Sequence, residues 1–214
     1  MATYSVCKRF EWKGEMTDRV IMVCRMFGLT AEGLSNRAAT HQCRLQINDG
    51  DVVYITGPSG AGKSVLLREL EQAVAVGDRI NLASVELSRD NAMIDCIDGD
   101  VLSAMRTLSV AGLNDVFCIL NRPANLSDGQ KYRFRLAAAL AAKKKFVFAD
   151  EFCSELDRLT AAVVSYNIHK FAKKTCTTFV LASSHDDILL DLAPDVLVVK
   201  NFTGPAEIIY KHHV

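Results

Sequence analysis

The chain has 214 residues, half of them hydrophobic, which is enough for one well-cored domain and too few for two of ordinary size. Lys plus Arg equals Asp plus Glu at 25 each, so the overall charge gives no support for nucleic acid or an acidic membrane as a general partner. Seven scattered cysteines, none in a CxxC pair, argue against a disulfide framework or a zinc site and for a reducing compartment.

Met1 to Phe10 lacks the order of a signal peptide, being broken by Lys8 and Arg9. Apolar stretches such as Phe179-Val180-Leu181-Ala182 are far too short for a bilayer, so the expected protein is soluble and cytoplasmic. The spacing of Val20, Ile21, Val23, Cys24 and Phe27 predicts a helix over Thr17 to Phe27, stopped at Gly28. Gly33 to Thr40 reads as a polar loop, Cys43 to Ile47 as a strand, and Asn48-Asp49-Gly50 as a turn.

Next comes Gly57-Pro58-Ser59-Gly60-Ala61-Gly62-Lys63-Ser64, which satisfies GxxxxGK[ST] between the buried strand Asp51 to Thr56 and a helix starting at Ser64 and running to about Ala75. Glycines let successive backbone N–H groups turn inward on phosphates, and the positive end of the following helix points at the same anion. Lys63 is placed to reach the β- and γ-phosphates of a nucleotide and Ser64 to ligate Mg²⁺. A plain glycine-rich turn is the bland alternative, and the flanking strand and helix argue against it.

Further along, strands are predicted near Ile80 to Val85 and Ala92 to Ile94, and a helix over Val101 to Leu108. A long helix follows from Ser127 to about Lys145, then a buried strand Phe146 to Ala149, a helix Leu159 to Lys174, and strands Thr177 to Ala182 and Val196 to Val199. The expected fold class is α/β, a mostly parallel sheet covered by helices. Strand Phe146 to Ala149 delivers Asp150 and Glu151 at its carboxyl end, where ligands bind in open α/β sheets. Helix capping is the plain reading of such a pair. After a phosphate loop, the better one gives Asp150 to Mg²⁺ and Glu151 to the attacking water.

Leu126-Ser127-Asp128-Gly129-Gln130 opens a helix continuing Lys131-Tyr132-Arg133-Phe134-Arg135-Leu136-Ala137. Here the chain resembles the ABC-class ATPases, whose signature is LSGGQ. The resemblance extends to Asp150-Glu151-Phe152-Cys153-Ser154-Glu155-Leu156-Asp157, similar to the family's DEPTSALD, and to His185, which follows a strand as the family's switch histidine does. It implies a P-loop NTPase fold with a reduced helical subdomain, ATP and Mg²⁺ as cofactors, and ATP hydrolysis. Glu151 and His185 would be catalytic. Ser127, Gly129 and Gln130 would contact nucleotide held by a second subunit, giving an ATP-sandwich homodimer, and Asp157 would also be nucleotide-binding. On this reading residues 1–214 are a single domain, with a segment 1–48 packed on a nucleotide-binding core 49–200.

The chain departs from the family at Asp128, where glycine is usual, and at Phe152 and Cys153, where packing variation is the plain reading. No glutamine follows the strand expected at Ala92 to Ile94, and Asp95 is the candidate to replace it as a Mg²⁺ or water contact, a solvated acidic turn of Asp95, Asp98 and Asp100 being the equal alternative. Trp12 and Phe27 are candidates to stack on adenine, core packing being the simpler account of both. Only 64 positions separate Lys63 from Ser127, so a transporter docking surface looks reduced. In Leu126 to Ala137, in Gly57 to Arg68 and in His185-Asp186-Asp187 the chain resembles a soluble group of ABC ATPases, some joined to an acetyltransferase-like domain. The expectation is an engine that drives or gates an unidentified soluble protein partner, with nucleic-acid metabolism or modification as a candidate process and a membrane partner disfavoured. The alternative is the ATP-binding subunit of a membrane transporter.

Overall fold

The computed structural model describes residues 2–35 and 39–211. It contains a two-stranded antiparallel ribbon, β1 (Ala2–Phe10) with β2 (Ala39–Ile47), and a six-stranded sheet. The sheet comprises β3 (Val52–Thr56), β4 (Arg79–Asn81), β5 (Phe146–Ala149), β6 (Thr178–Ala182), β7 (Val196–Val199) and β8 (Glu207–Tyr210), in the spatial order β4-β5-β6-β3-β7-β8. All neighbours are parallel except β7 and β8. Two helices, α1 (Asp18–Met26) and α2 (Ala31–Ser35), lie in the excursion between β1 and β2. The others are α3 (Lys63–Gln72), α4 (Val101–Val110), α5 (Val116–Ile119), α6 (Asp128–Ala141), α7 (Arg158–Thr175) and α8 (Leu189–Leu192).

Side chains alternate across the pleat and so divide the core in two. Val52, Tyr54, Val147, Ala149, Phe179 and Leu181 face one layer, with residues of α4, α6 and α7. Val53, Ile55, Phe148, Val180, Val196 and Val198 face the other, with α3 and the β1–β2 ribbon. Strands buried on both faces read as unbroken apolar runs, which is why β5, β6 and β7 fall where the sequence predicts them. A Lys8–Glu69 ion pair at 3.0 Å joins the ribbon to α3. The Tyr210 hydroxyl accepts from the Gln46 amide at 2.9 Å, tying it to β8 as well.

Several sequence expectations are corrected. Of the loop read over Gly33 to Thr40, Gly33 to Ser35 belong to α2 and Ala39 and Thr40 to β2, while 36–38 lie outside the described residues. The strand expected over Ile80 to Val85 is β4, Arg79–Asn81, followed by a 3-10 turn Leu82–Ser84, because the Asn81 side chain caps that turn at the Ala83 amide. At Ala92 to Ile94 there is no strand. Met93–Cys96 form a 3-10 turn that sends Met93 fully into the core, with its amide bonded to the Asn121 carbonyl. The long helix ends at Ala141, short of Lys145, since Lys143 takes a left-handed φ of 50°. Phe27 is 76% exposed and so is not core. Among the described residues no helix is long and apolar enough to cross a membrane.

Candidate functional site

The loop 57–62 turns from β3 into α3 under tight steric control. Gly57 has φ 137°, and a Cβ there would lie 2.0 Å from the Lys200 carbonyl oxygen. Gly62, the N-cap of α3 at φ 95°, would drive a Cβ to 2.1 Å from the His41 ring. The β2 strand and the start of the β7–β8 hairpin therefore grip the loop from outside. Lys200 is fully buried, donating to the carbonyls of Asn201 at 2.5 Å and Gly204 at 3.1 Å, and burial pulls its pKa down. Burial and the Lys200 charge also lower the pKa of His41, favouring the neutral ring.

Inside the loop, the Lys63 ammonium donates to the carbonyls of Gly57 (2.8 Å) and Pro58 (3.0 Å), which folds it back onto the loop. Ser64 is the second residue of α3. Its hydroxyl donates to Asp150 Oδ1 at 3.0 Å, although β6 separates β3 from β5 in the sheet. This hydroxyl and carboxylate form a hard-oxygen pair beside a phosphate cradle, which fits Mg²⁺, an ion that keeps waters and takes few protein ligands. Among the described residues, no cluster of three His, Cys, Asp or Glu side chains could cage a metal alone.

Glu151 follows in a left-handed conformation, φ 50°, its amide donating to Asp150 Oδ1 at 3.2 Å and its carboxylate exposed. Phe152 is fully buried, with its amide on the Ala182 carbonyl. The Cys153 amide donates to the Tyr132 hydroxyl at 3.0 Å, and burial pushes the Cys153 thiol up to about 12. These two departures from the family sequence are thus packing residues.

After β6, the loop carrying His185 is fastened to β3. The Tyr54 hydroxyl donates to the His185 carbonyl at 2.6 Å, and the Thr56 hydroxyl donates to the Asp186 carboxylate. The His185 imidazole itself is exposed at the same carboxyl end of the sheet as the phosphate loop. Arg158 pairs with Asp187 at 3.0 Å, and that hydrogen bond lowers the Asp187 pKa.

The signature segment starts α6 with a capping box. The Ser127 hydroxyl accepts from the Gln130 amide at 3.4 Å, and Gln130 Oε1 accepts from the Ser127 amide at 3.0 Å. Asp128 turns outward to Lys131 at 3.5 Å, with 87% of its side chain exposed, so the extra carboxylate points away from the helix mouth. Gly129 packs against the loop after Glu151, where a Cβ would lie 3.2 Å from the Glu155 carbonyl. Asp157 caps α7, accepting from the Thr160 amide (3.0 Å) and hydroxyl (2.7 Å), which lowers its pKa.

The fold therefore gathers residues 57–64, Asp150, Glu151 and His185 at one end of the sheet. Among the described residues, no recorded hydrogen bond joins Ser127, Gly129 or Gln130 to the phosphate loop. Asp95 sits exposed in the 93–96 turn, with no recorded bond to Ser64 or Asp150. The edge strand flanking β5 is β4, so the loop position that the sequence places beyond Ile94 falls instead after Asn81, whose side-chain amide donates to Glu71 at 2.7 Å. Sequence reasoning also missed Tyr54, His41 and Lys200. Only Lys200 carries a local signal, a cation directly after an apolar strand.

Comparison with known proteins agrees with this geometry. The ABC transporter family model matches residues 40–95. A methionine import ATP-binding protein MetN 2 from Pseudomonas syringae pv. tomato is 30% identical over 196 residues, covering 75% of this chain and 58% of that protein. MetN from Streptococcus agalactiae is 27% identical over 203 residues, covering 76% and 56%. The chain carries an ATP-binding cassette of the ABC class. Its fold is also that of the dimeric cassette MJ0796 in a post-hydrolysis state bound to ADP and Pi, with a TM-score of 0.63 at 19% identity, covering 80% of this chain and 90% of that one. The cassette spans little more than half the length of the two import proteins it matches. Their names tell against the expectation that a membrane partner is unlikely.

Proposed function

We propose that this cassette binds Mg-ATP in the 57–64 cradle, hydrolyses it within a homodimer that sandwiches two nucleotides, and serves as the ATP-binding subunit of a membrane importer. The Ser64–Asp150 bond at 3.0 Å carries the nucleotide reading, because it sets a metal-suited oxygen pair beside a glycine-rich loop and a buried lysine. The bound Mg²⁺ would neutralise charge on the phosphate oxygens. Lys63 then exchanges its loop carbonyls for the β- and γ-phosphates. Glu151 orients and deprotonates water, and the imidazole of His185 hydrogen-bonds the γ-phosphate. Ser127, Gly129 and Gln130 offer a helix N-terminus, and Asp157 a loop carboxylate, to the nucleotide of the second subunit. Asp95 keeps no strand-end argument for a place at the metal. We read residues 1–214 as one domain, with 1–48 packed on 49–200.

The importer reading is supported by the names of the matching relatives. A soluble partner is the second reading, favoured by the 64 positions between Lys63 and Ser127, in which only α4, the four-residue α5 and short turns follow α3 and β4 before α6. The test is purification of Glu151→Gln with ATP and magnesium. An ATP-dependent dimer that co-fractionates with transmembrane chains is expected. A monomer at saturating ATP would overturn the sandwich, and a trapped complex found only in the membrane-free fraction would replace the importer with the soluble partner.

A further inference from the structure

Two adjoining hollows of about 380 and 720 Å³ share Ser103, Thr107, Phe171 and Thr175. Together they form one open trough between α4, the end of α6 and the last turns of α7. Lys143 to Lys145 lead into the amino end of β5, and Cys176 and Thr177 into that of β6. The phosphate loop follows the carboxyl end of β3, which is parallel to β6. The trough is therefore at the opposite end of the sheet from the nucleotide.

Six cations line it: Arg106 from α4, Lys143, Lys144 and Lys145 from the α6–β5 connection, and Lys170 and Lys174 from α7. Two carboxylates answer them, Asp98 on the wall and Asp78, which pairs with Lys145 at 3.2 Å. Lys144 donates to the Gly77 carbonyl and Lys170 lies 4.9 Å over the Tyr166 ring, contacts that leave both charges in place. Among the described residues, Arg106, Lys143 and Lys174 have no recorded carboxylate partner. In a chain with equal numbers of acids and bases this is a local excess.

Lysines at helix C-termini complement the helix dipole, which accounts for Lys143 and Lys174. It does not account for Arg106 and Lys170, which stand a full turn or more before the ends of α4 and α7. A flat anionic bilayer is met by cations on a convex face, whereas a linear polyanion is followed by cations along a concave one. We propose that this trough binds the phosphodiester backbone of nucleic acid, independently of the nucleotide site and without base-specific contacts. Asn167 donates to the Val110 carbonyl at 3.0 Å, so the two helices forming the walls are bonded to each other.

The test is fluorescence anisotropy of the full chain with labelled strands of about 30 nucleotides, single-stranded and duplex, across a salt series. Salt-sensitive binding is expected. The triple variant Arg106→Glu, Lys170→Glu, Lys174→Glu should weaken it at least about tenfold and flatten the log K against log salt slope by about two to three. ATP affinity of that variant should be unchanged, which shows that it is folded. Arg89→Glu, outside the trough, should bind nucleic acid as the parent does. No binding by the parent at low salt, parental binding by the triple variant, or a preference of the same residues for phosphatidylserine vesicles would each overturn the proposal.

Discussion

The phosphate loop and the signature segment are both glycine-bearing helix starts, yet they are built in opposite ways. Gly57 and Gly62 are pressed against a backbone carbonyl and an imidazole ring, and Lys63 is buried between them. The signature start is open: Ser127 and Asp128 are exposed, and Ser127 and Gln130 satisfy one another in a capping box. The first is shaped by its own chain from several sides. The second is capped by its own residues and touches the rest of the chain chiefly where Gly129 meets the Glu155 carbonyl, which leaves Ser127 open as the proposed contact with a second subunit requires.

The contrast breaks hardest at Gly57. Replacing it with alanine sets a methyl 2.0 Å from a backbone oxygen at φ 137°, which should cost more than about 3 kcal/mol and abolish ATP binding. A thermal melt with calorimetry checks both. Lys63→Ala comes next, with ATP affinity falling by about thirtyfold or more as a charge-assisted contact is lost, and with an unchanged melting profile. In the Glu151→Gln background, Ser127→Arg should leave ATP binding by the monomer intact and eliminate the dimer in sedimentation, since the substituted side chain obstructs a face and not a cradle. His185→Ala should depress turnover strongly with almost no change in ATP affinity, and full turnover would remove it from the mechanism.

What was legible in the sequence follows the same division. The 57–64 loop and the Asp150–Glu151 pair are written in consecutive residues attached to buried strands, so their chemistry can be read locally. The grip of Lys200 and His41 on the two glycines is made by residues distant in sequence, and no local pattern announces it. The β1 strand was missed because it is largely exposed and carries no long apolar run, and β8 because Ile208-Ile209-Tyr210 is short and lies on a largely exposed edge strand. The strand expected at 92–94 failed for the reverse reason: Met93 reaches the core from a turn, and one deeply buried side chain does not need a strand.

The smallest effect expected lies between the two motifs. At pH 8 a thiol-specific reagent should label the exposed Cys7 and Cys176 quickly and leave Cys153 unmodified, because burial holds its pKa at about 12. Rapid labelling of Cys153 in the native protein would show that the segment following Glu151 opens.

The hydrogen bond from Tyr54 to the His185 carbonyl has a consequence for timing. Strand β3 ends in the phosphate loop, and the same strand holds the histidine loop by its backbone while the imidazole stands exposed. Position and orientation at His185 are thereby governed separately, the first by the strand and the second by whatever the ring meets. A phenylalanine at residue 54 would join the two, so that each catalytic cycle had first to recover the placement of its histidine before the ring could respond to the phosphate.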